Sequence, residues 1–546
     1  MQGKKTKKTT AKKNYRLIAM MNDELLFKTR LNKHYDELKW LYCELFQHEE
    51  NPLVYFDDLM QIVKQYYKQR EVYLKALDIK REENPDWYET NNFIGMTMFV
   101  DSFSKTVKGL EKRLPYLMES NIKYIKLLAH QDNNDDEIII NNARSVIGYG
   151  TIEEFCKLTK KCHKNKLSIC TSLKAKSWDM YEPNKFNYIV NELLDIVNQG
   201  IDIIQLDIAN DDCYLEKLHT VIRMLRMLVE IVCPATLLLG NIKLEPNLAV
   251  AYLGTKEKPE LHMVNNISLM PILWHTVATK DVSLLKNQID KWKYDVDLSK
   301  VNNYLRSEEA ISWDLDYAFL QKQGLSEDMH KIFLNQFYTG EFEGSSSLGK
   351  LWSKENICGT TASLCGIELF ETKKDKDKIK QAIKMDLMLH AIVLSLAGIP
   401  VIYSGDEIGQ CNDYSYVDDE TKDLRYIHQG AFNWRKAGRR KLNNVIQSRM
   451  YQGIEKLTKL HLEYDVFMTN ATQYTLDTGN KAVLAIVRET NTEKFIGLYN
   501  FGDKEETTNI KENDGIYKDI YNKEKNITAV NLAIPSHGII WLWRAK

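Results

Sequence analysis

The sequence predicts an α/β protein: a closed (β/α)₈ TIM barrel with a helical module before it and an antiparallel β-domain after it. Between residues 91 and 458, short apolar segments alternate with amphipathic helical segments about eight times. This alternation is typical of a parallel sheet covered by helices, and at this length a closed barrel is its natural form. Helical apolar spacing dominates the region before residue 90, and alternating apolar segments dominate the region after residue 459.

The N-terminal part divides into a basic tail and a helical module. Residues 1–14 form the tail, with six lysines in the first 13 positions and no apolar run behind them. A signal peptide needs such a run, so we predict a disordered, solvated tail, with a weak anchor for anionic surfaces as the alternative. Residues 15–90 carry apolar side chains at three- and four-residue spacing, which predicts helices docked on the barrel.

Within 91–458 the predicted barrel strands are short apolar runs. They are 94–103, 123–130, 167–173, 201–209, 235–242, 301–307 and 399–409. The segment of about 311–376 between the last two is predicted as an insertion after strand seven. Residues 459–546 contain NKAVLAIVRET, EKFIGLYNFG and HGIIWLWRA, which lie between turn residues and predict the C-terminal β-domain.

Composition argues against several classes of partner and cofactor. Lys and Arg number 74 against 75 Asp and Glu, a net charge of −1, so no global field attracts nucleic acid or a membrane surface. No run approaches the length of a transmembrane helix. The nine cysteines are scattered without a CxxC pair, so we expect free thiols in the cytoplasm, no metal and no cofactor.

Seven strings, in order along the chain, resemble the α-amylase superfamily of glycoside hydrolases, and within it amylosucrase most of all. The resemblance runs from about residue 25 to the C-terminus. The strings are REENPDW (81–87), FVDSF (99–103), KGLEKRLPYL (108–117), SWDMYEPN (177–184), ILWHTVATKDVSLL (272–285), GTTASLCGIE (359–368) and LAGIPVIYSGDEIGQCND (396–413). Seven such strings in one order are a specific signal for fold and ancestry.

The resemblance implies a retaining site at the ends of the barrel strands. An Asp after strand four attacks the anomeric carbon, and a Glu after strand five protonates the leaving oxygen, roughly 5–5.5 Å away. Asp207 occupies the nucleophile position, but Asn241 stands where the acid belongs. An amide cannot donate a proton to a leaving group at neutral pH. The resemblance therefore implies an intact nucleophile without its acid.

Other positions of the implied site are also exchanged. Gln205 replaces an Arg and lacks the positive charge that keeps a crowded carboxylate ionised. Glu309 replaces the Asp that braces the sugar hydroxyls and is one methylene longer, and Glu308 precedes it. Because adjacent side chains leave a strand end in opposite directions, only one of the two glutamates is expected to point into the mouth.

After strand three the implied Asp…Asn-His set becomes Cys170, Lys174 and Ala175. Leu173 is followed almost at once by the Trp178 string, so the B domain of amylosucrase-like enzymes is missing. Arg306 and Trp178 are further binding candidates. We expect Cys170, Gln205, Asp207, Asn241 and the two glutamates to cluster at the C-terminal end of the barrel, where barrel enzymes build their sites.

Three functions remain compatible with these residues. The first is a catalytically inactive, amylosucrase-like protein that binds α-glucan, oligosaccharide or sucrose, or serves as a partner subunit or homo-oligomer. The second is an active retaining α-glucoside hydrolase or transglucosidase that uses Asp207 with a relocated acid, for which Glu245 is the nearest candidate. The third is a structural module without sugar binding. The sequence strings that build the barrel are retained, whereas the residues at the ends of its strands differ from those of the superfamily. This pattern favours the inactive binding protein.

Overall fold

The computed structural model describes residues 14–130, 139–175, 180–208, 215–242, 246–291, 297–417, 423–468, 471–510 and 515–546. Residues 1–13 of the predicted tail, Trp178 and Glu245 lie outside these ranges. None of the described helices is both long and apolar enough to cross a membrane.

The strands, in chain order, are β1 (Gly95–Phe99), β2 (Tyr124–Leu128), β3 (Ile139–Asn141), β4 (Ser168–Ala175), β5 (Ile203–Ile208), β6 (Leu237–Ile242), β7 (Met263–Asn265), β8 (Val301–Tyr304), β9 (Ile311–Ser312), β10 (Lys350–Ser353), β11 (Asn356–Cys358), β12 (Ile399–Tyr403), β13 (Thr472–Leu476), β14 (Val483–Glu489), β15 (Glu493–Asn500), β16 (Glu506–Thr508), β17 (Ile516–Asp519), β18 (Glu524–Thr528), β19 (Leu532–Ile534) and β20 (Ile539–Ala545).

The α-helices are α1 (Tyr15–Met21), α2 (Asp23–Leu45), α3 (Pro52–Gln69), α4 (Val72–Glu82), α5 (Val100–Ser104), α6 (Val107–Glu119), α7 (Asn142–Gly148), α8 (Ile152–Lys164), α9 (Pro183–Asn198), α10 (Leu215–Val232), α11 (Pro246–Ala251), α12 (Leu269–Thr279), α13 (Ser283–Lys291), α14 (Tyr317–Lys322), α15 (Glu327–Thr339), α16 (Thr361–Leu364), α17 (Ile367–Lys373), α18 (Lys376–Ser395), α19 (Tyr426–Gln429), α20 (Trp434–Ala437) and α21 (Ile446–Glu463).

Eight parallel strands close into the predicted barrel. They are β1, β2, β4, β5, β6, β7, β8 and β12; β12 pairs with β1, and β2 pairs with β4. The short β3 adds to β4 in the antiparallel sense. Neither β3 nor the barrel strand β7 was among the seven predicted runs. The strand predicted at 94–103 is too long: it ends at Phe99, where α5 turns the chain toward α6. The strand predicted at 399–409 likewise ends at Tyr403.

The N-terminal helices pack against the outside of the barrel. Buried side chains recur on one face of α2, with Leu38, Tyr42 and Leu45 at helical spacing. The hydroxyl of Tyr42 donates to Asn187 Oδ1 on α9 at 3.0 Å. The buried residues of α2 and α3 belong to the same continuous core as the barrel. That residues 15–90 form a module separate from the barrel therefore stays a prediction.

The chain between β8 and α18 covers one side of the barrel mouth with helices α14–α17 and a small antiparallel sheet of β10, β11 and β9. The C-terminal region forms the predicted antiparallel sheet, in the order β13-β14-β15-β20-β17-β18, with β16 and β19 paired beside it. Helix α21 runs to Glu463, past the predicted boundary at 458–459. Arg488 of β14 is fully buried and donates to the carbonyl oxygens of Ser395 and Met468, which ties this sheet to α18.

Candidate functional site

The parallel register places Asp207 and Asn241 side by side at the C-terminal end of the barrel. Asp207 on β5 is the register partner of Asn241 on β6. Two residues before Asp207, the Nε2 group of Gln205 donates to Asp207 Oδ1 at 2.7 Å. The structure therefore brings together the three strand-end residues that the sequence singled out.

A chain of side-chain amides extends from these residues across β5, β6, β7 and β8. Nδ2 of Asn265 donates to Gln205 Oε1 at 3.1 Å and to Asn241 Oδ1 at 3.0 Å. Asn302 in turn donates to Asn265 Oδ1 at 3.2 Å. Asn241 therefore presents a hydrogen-bonded amide beside Asp207, at the position where the superfamily resemblance implies an acid. Sequence reasoning missed Asn265 and Asn302.

A buried lysine supplies positive charge at the centre of the mouth. Lys126 on β2 lies with its Nζ 2.5 Å from Glu308 Oε1. Burial disfavours the charged amine, but the charges of Glu308 and Asp207 outweigh burial and raise the pKa of Lys126. Lys126 therefore stays protonated and acts as a positive charge on Asp207. Sequence reasoning missed this residue too.

Several interactions act in opposite directions on the pKa of the Asp207 carboxyl group. Burial raises the pKa of Asp207 and the charge of Glu308 adds to the rise, whereas Lys126 and the hydrogen bonds from Gln205 and Asn241 act against it. The net direction is upward. Ionised Asp207 is therefore less favourable than an exposed aspartate, although cationic and amide groups surround it.

The two adjacent glutamates after β8 point to different places. Glu308 is 16% exposed and turns toward Lys126, and its Oε2 is buried without a hydrogen-bond partner among the described residues. Glu309 is 53% exposed and pairs with Arg425 at 2.6 Å. Its carboxylate thus lies at the rim of the mouth, while Glu308 is the inward glutamate.

The guanidinium group of Arg306 forms hydrogen bonds within the protein. Its Nε donates to Asp406 Oδ1 at 2.8 Å, and its Nη1 donates to the carbonyl oxygen of His428 at 3.1 Å. The guanidinium also covers the ring of Tyr403 at 3.8 Å. Arg306, expected as a binding residue, therefore ties the ends of β8 and β12 together beneath the mouth.

The two candidates on β4 neighbour the cluster in register, Cys170 beside Lys126 and Lys174 beside Asp207, but their side chains are not members of the amide chain. The prediction that Cys170 closes its strand is wrong, because β4 continues to Ala175. Cys170 is buried deeper in the barrel, and burial raises the pKa of its thiol to about 12. Lys174 is the register partner of Asp207, but its side chain is exposed. Neither residue replaces the polar set implied after strand three.

A second polar group lies after β1 and β2 and was also missed. Nδ1 of His130 lies 2.5 Å from Asp101 Oδ2, and its Nε2 lies 3.0 Å from Gln429 Oε1. The ring of Phe99 stacks on the imidazole with 4.1 Å between centroids. Gln429 also donates to the backbone oxygen of Glu308 at 2.6 Å, which connects this group to the mouth.

The mouth encloses a cavity of about 700 Å³. Its lining includes polar residues, among them Lys126, Gln205, Asn241, Glu308 and Glu309, together with aliphatic residues and four aromatic ones: Tyr304, Trp313, Tyr317 and Trp352. The volume is in the range of small-molecule sites. Amides, carboxylates and an ammonium group beside aromatic faces suit a polyhydroxylated ligand.

Two glucosylglycerate phosphorylases resemble this chain by sequence. No family model matches the chain. A glucosylglycerate phosphorylase of Escherichia coli K12 is 24% identical over 373 residues, 65% of this chain and 62% of that protein. A glucosylglycerate phosphorylase of Spirochaeta thermophila is 26% identical over 243 residues, 41% of this chain and 38% of that protein. The chain thus spans less than two thirds of each of these relatives.

Solved structures match over most of the chain. Cyclic α-maltosyl-(1→6)-maltose hydrolase of Arthrobacter globiformis aligns with a TM-score of 0.53 and 14% identity, covering 84% of this chain and 99% of that one. Trehalose-6-phosphate hydrolase of Bacillus licheniformis aligns with a TM-score of 0.55 and 13% identity, covering 84% and 100%. At this identity the likeness shows the fold. The resemblance to amylosucrase in particular stays a prediction, and the coarser resemblance to the α-amylase superfamily is supported by the fold and by the sequence relatives together.

Proposed function

We propose that this chain is a saccharide-binding protein of carbohydrate metabolism that has lost the cleavage of glycosidic bonds. One observation carries the proposal: Asn241, in register with Asp207, is held as a hydrogen-bond acceptor by Asn265. A retaining mechanism needs a carboxylic acid about 5–5.5 Å from its nucleophile, and the superfamily resemblance implies position 241 for it. The amide keeps the polar surface of the mouth but supplies no proton.

Other groups near Asp207 do not make up for the missing acid. A raised pKa keeps the ammonium group of Lys126 protonated, so it is a poor proton donor. Glu308 forms a hydrogen-bonded ion pair with that ammonium group. Loss of general-acid assistance alone removes about 10²–10⁴-fold in rate, which corresponds to roughly 2.7–5.5 kcal/mol.

The cavity supports binding without chemistry. Its wall offers Trp352, which is 39% exposed, as a flat apolar face, and its lining also offers amide and charged groups. The pattern of a few placed polar groups among apolar and aromatic side chains is common in ligand sites. The amylosucrase resemblance makes sucrose and α-glucans the first ligands to test, and a cytoplasmic location remains part of the proposal.

An active enzyme is the second candidate, favoured by Asp207 itself. The nucleophile position is occupied, Lys126 compensates its charge, and Glu308 keeps a buried oxygen without a described partner. The named relatives are glucosylglycerate phosphorylases. In this alternative, the Asp207 carboxylate displaces the leaving-group oxygen at the anomeric carbon, and the Glu308 carboxyl group gives a proton to that oxygen. Phosphate or water then takes the glucosyl group from Asp207.

One experiment separates the two candidates. Purified protein is titrated calorimetrically with sucrose, maltoheptaose and glucosylglycerate, and each mixture, with and without phosphate, is assayed for glucose, fructose and glucose 1-phosphate over a day. We expect binding of at least one saccharide and no enzymatic turnover. Trp352→Ala should weaken that binding several-fold, whereas Trp40→Ala, an exposed tryptophan on α2, should leave it unchanged. Turnover near about 1 s⁻¹, an ordinary enzyme rate, would contradict the proposal, as would failure of all three saccharides to bind.

A further inference from the structure

The segment that precedes α2 concentrates positive charge. Six lysines lie in the first 13 positions, Arg16 follows in α1, and the first acidic residue of the chain is Asp23. The whole chain has a net charge of −1, so this concentration is local. A local basic cluster attracts an anionic surface even where the protein as a whole does not.

The helix α1, which follows this basic run, exposes an apolar face. Leu17, Met20 and Met21 stand at helical positions i, i+3 and i+4 and therefore share one side of the helix. They are 52%, 66% and 75% exposed, and Leu25 in the first turn of α2 is 64% exposed. Single exposed apolar side chains are ordinary, but a cluster of them marks an interaction surface.

Contacts on the other side of α1 keep this face turned outward. Ala19 is buried, and the hydroxyl of Tyr15 donates to Glu83 Oε2 at 2.9 Å, directly after α4. The backbone N–H of Leu17 donates to Asn14 Oδ1 at 3.2 Å, which caps the helix. The apolar face is therefore already formed and presented by the folded protein.

The position of α4 places this face at the end of the barrel opposite the saccharide cavity. Arg81 of α4 donates to Asp202 Oδ1 at 2.6 Å, and Asp202 directly precedes β5. Asp207 lies at the other end of the same strand. A surface bound to α1 therefore leaves the barrel mouth open.

Acidic residues near α1 do not cancel the basic run, because they are largely neutralised within the protein. Three ion pairs do this: Asp23 with Lys75 at 2.7 Å, Glu24 with Lys28 at 2.7 Å, and Glu82 with Arg30 at 2.5 Å. Even when Glu83 is counted, the seven positive charges of residues 1–22 leave a strongly positive balance.

We propose that residues 1–25 bind the surface of an anionic lipid bilayer. The side chains of Leu17, Met20 and Met21 enter the headgroup region, and the lysines that precede them lie along the anionic headgroups. Either attraction alone is weak, and stable attachment to a membrane takes two signals that act together. This inference does not depend on the function proposed for the saccharide cavity.

Two other occupants fit these features less well. Nucleic acid would attract the lysines, but its phosphate backbone gains nothing from exposed methionine side chains. A second copy of the chain could cover the apolar face, but it would bring a second basic run against the first, and like charges oppose such contact. An anionic bilayer satisfies the apolar face and the basic run together.

Cosedimentation of the full chain with lipid vesicles tests the proposal. We expect binding to phosphatidylcholine vesicles that contain phosphatidylserine and much weaker binding to phosphatidylcholine alone. Raising NaCl from about 0.1 M to about 1 M shortens the screening length from about 10 Å to about 3 Å, so most of the protein should be released.

Two variants separate the two attractions. Met20→Gln combined with Met21→Gln should weaken binding by about tenfold to a hundredfold, because two thioether side chains no longer leave water. Replacing four lysines with glutamine should weaken it by more than about a hundredfold, since each contributes roughly fivefold; these are Lys4, Lys5, Lys7 and Lys8. The methionines are exposed, so thermal unfolding should be unchanged.

Matched controls carry the same changes elsewhere. Met329→Gln with Ile332→Gln alters two exposed apolar residues of α15, and a fourfold lysine-to-glutamine variant removes the same charge from exposed positions: Lys373, Lys374, Lys376 and Lys378. Both controls should bind vesicles as the natural chain does.

Several results would overturn the inference. They are no binding to vesicles with phosphatidylserine, equal binding to phosphatidylcholine alone, or losses as large in the controls. Loss in the lysine variant without loss in the methionine variant would reduce the effect to simple charge attraction, as nucleic acid also shows. A change of mass in sedimentation without vesicles, caused by the methionine variant, would show that a second copy covers this face.

Discussion

Lys126 and Glu308 form an ion pair across the barrel mouth, with the ammonium nitrogen 2.5 Å from Glu308 Oε1. The pair joins β2 to the segment that follows β8, and its cation also acts on Asp207. A positive charge is thus retained beside the nucleophile position, although it comes from a different strand than the superfamily resemblance implies. This buried cation offsets the negative charges of two carboxylates, Asp207 and Glu308.

Replacing Lys126 with methionine should strongly destabilise the protein at neutral pH. Breaking a buried ion pair leaves an uncompensated charge, at a cost of about 3–5 kcal/mol. Adding Glu308→Gln should restore most of that loss, because the double variant buries no unpaired carboxylate at this position. Urea unfolding at pH 7 of the two single variants and the double variant measures the coupling. Additive losses would show that the two residues do not interact.

Restoring the acid at position 241 should not by itself restore catalysis. In Asn241→Glu the Nδ2 group of Asn265, now 3.0 Å from Asn241 Oδ1, would donate to the new carboxylate. A hydrogen bond donated to the ionised form lowers the pKa of the carboxyl group, so little of the protonated acid would be present at neutral pH. We expect no release of 4-nitrophenol from an aryl α-glucoside above that of the control Asn241→Gln. A turnover near about 1 s⁻¹ from Asn241→Glu alone would contradict this.

His275 on α12 should make the protein sensitive to mild acid. Burial, with the neighbouring His330, lowers the pKa of His275 to about 3, below its value in an unfolded chain, about 6.5. The unfolded state therefore binds more protons below that pH, and stability is lost as pH falls from 6.5 toward 3. At pH 5 this residue removes about 2 kcal/mol relative to pH 8.

His275→Phe should remove that part of the pH dependence. Neither ring nitrogen of His275 has a hydrogen-bond partner among the described residues, so phenylalanine sacrifices no such bond. Thermal unfolding between pH 5 and 8 provides the comparison, with His48→Phe at an exposed histidine as the control. An unchanged acid slope in His275→Phe would show that another group titrates.

The barrel and the C-terminal sheet could be predicted because each follows from local periodicity. Strand–helix alternation requires a parallel sheet, and a parallel sheet brings strand ends such as Asp207 and Asn241 to one edge. The adjacent glutamates were also predicted to diverge, and they do. These features depend on chain direction and register.

Residues that function through long-range contacts were harder to predict. Lys126 lies in the apolar run YIKLL, and Asn265 ends the short β7; only closure of the barrel shows that both face the mouth. A lone polar residue inside an apolar strand was the available signal. Cys170 was misplaced because β4 runs past the expected end of the strand, which depends on pairing with β3 and β5 rather than on local composition.

Hydrolysis of α-D-glucosyl fluoride tests the central claim most directly. Fluoride needs little protonation to leave. A working nucleophile would therefore release fluoride even though Asn241 supplies no acid. The measurement is fluoride release by the purified chain and by Asp207→Asn at equal concentration. We predict that both release fluoride at the spontaneous rate. Release that is faster in the natural chain and lost in Asp207→Asn would show that Asp207 attacks sugars, and the chain would then be an enzyme.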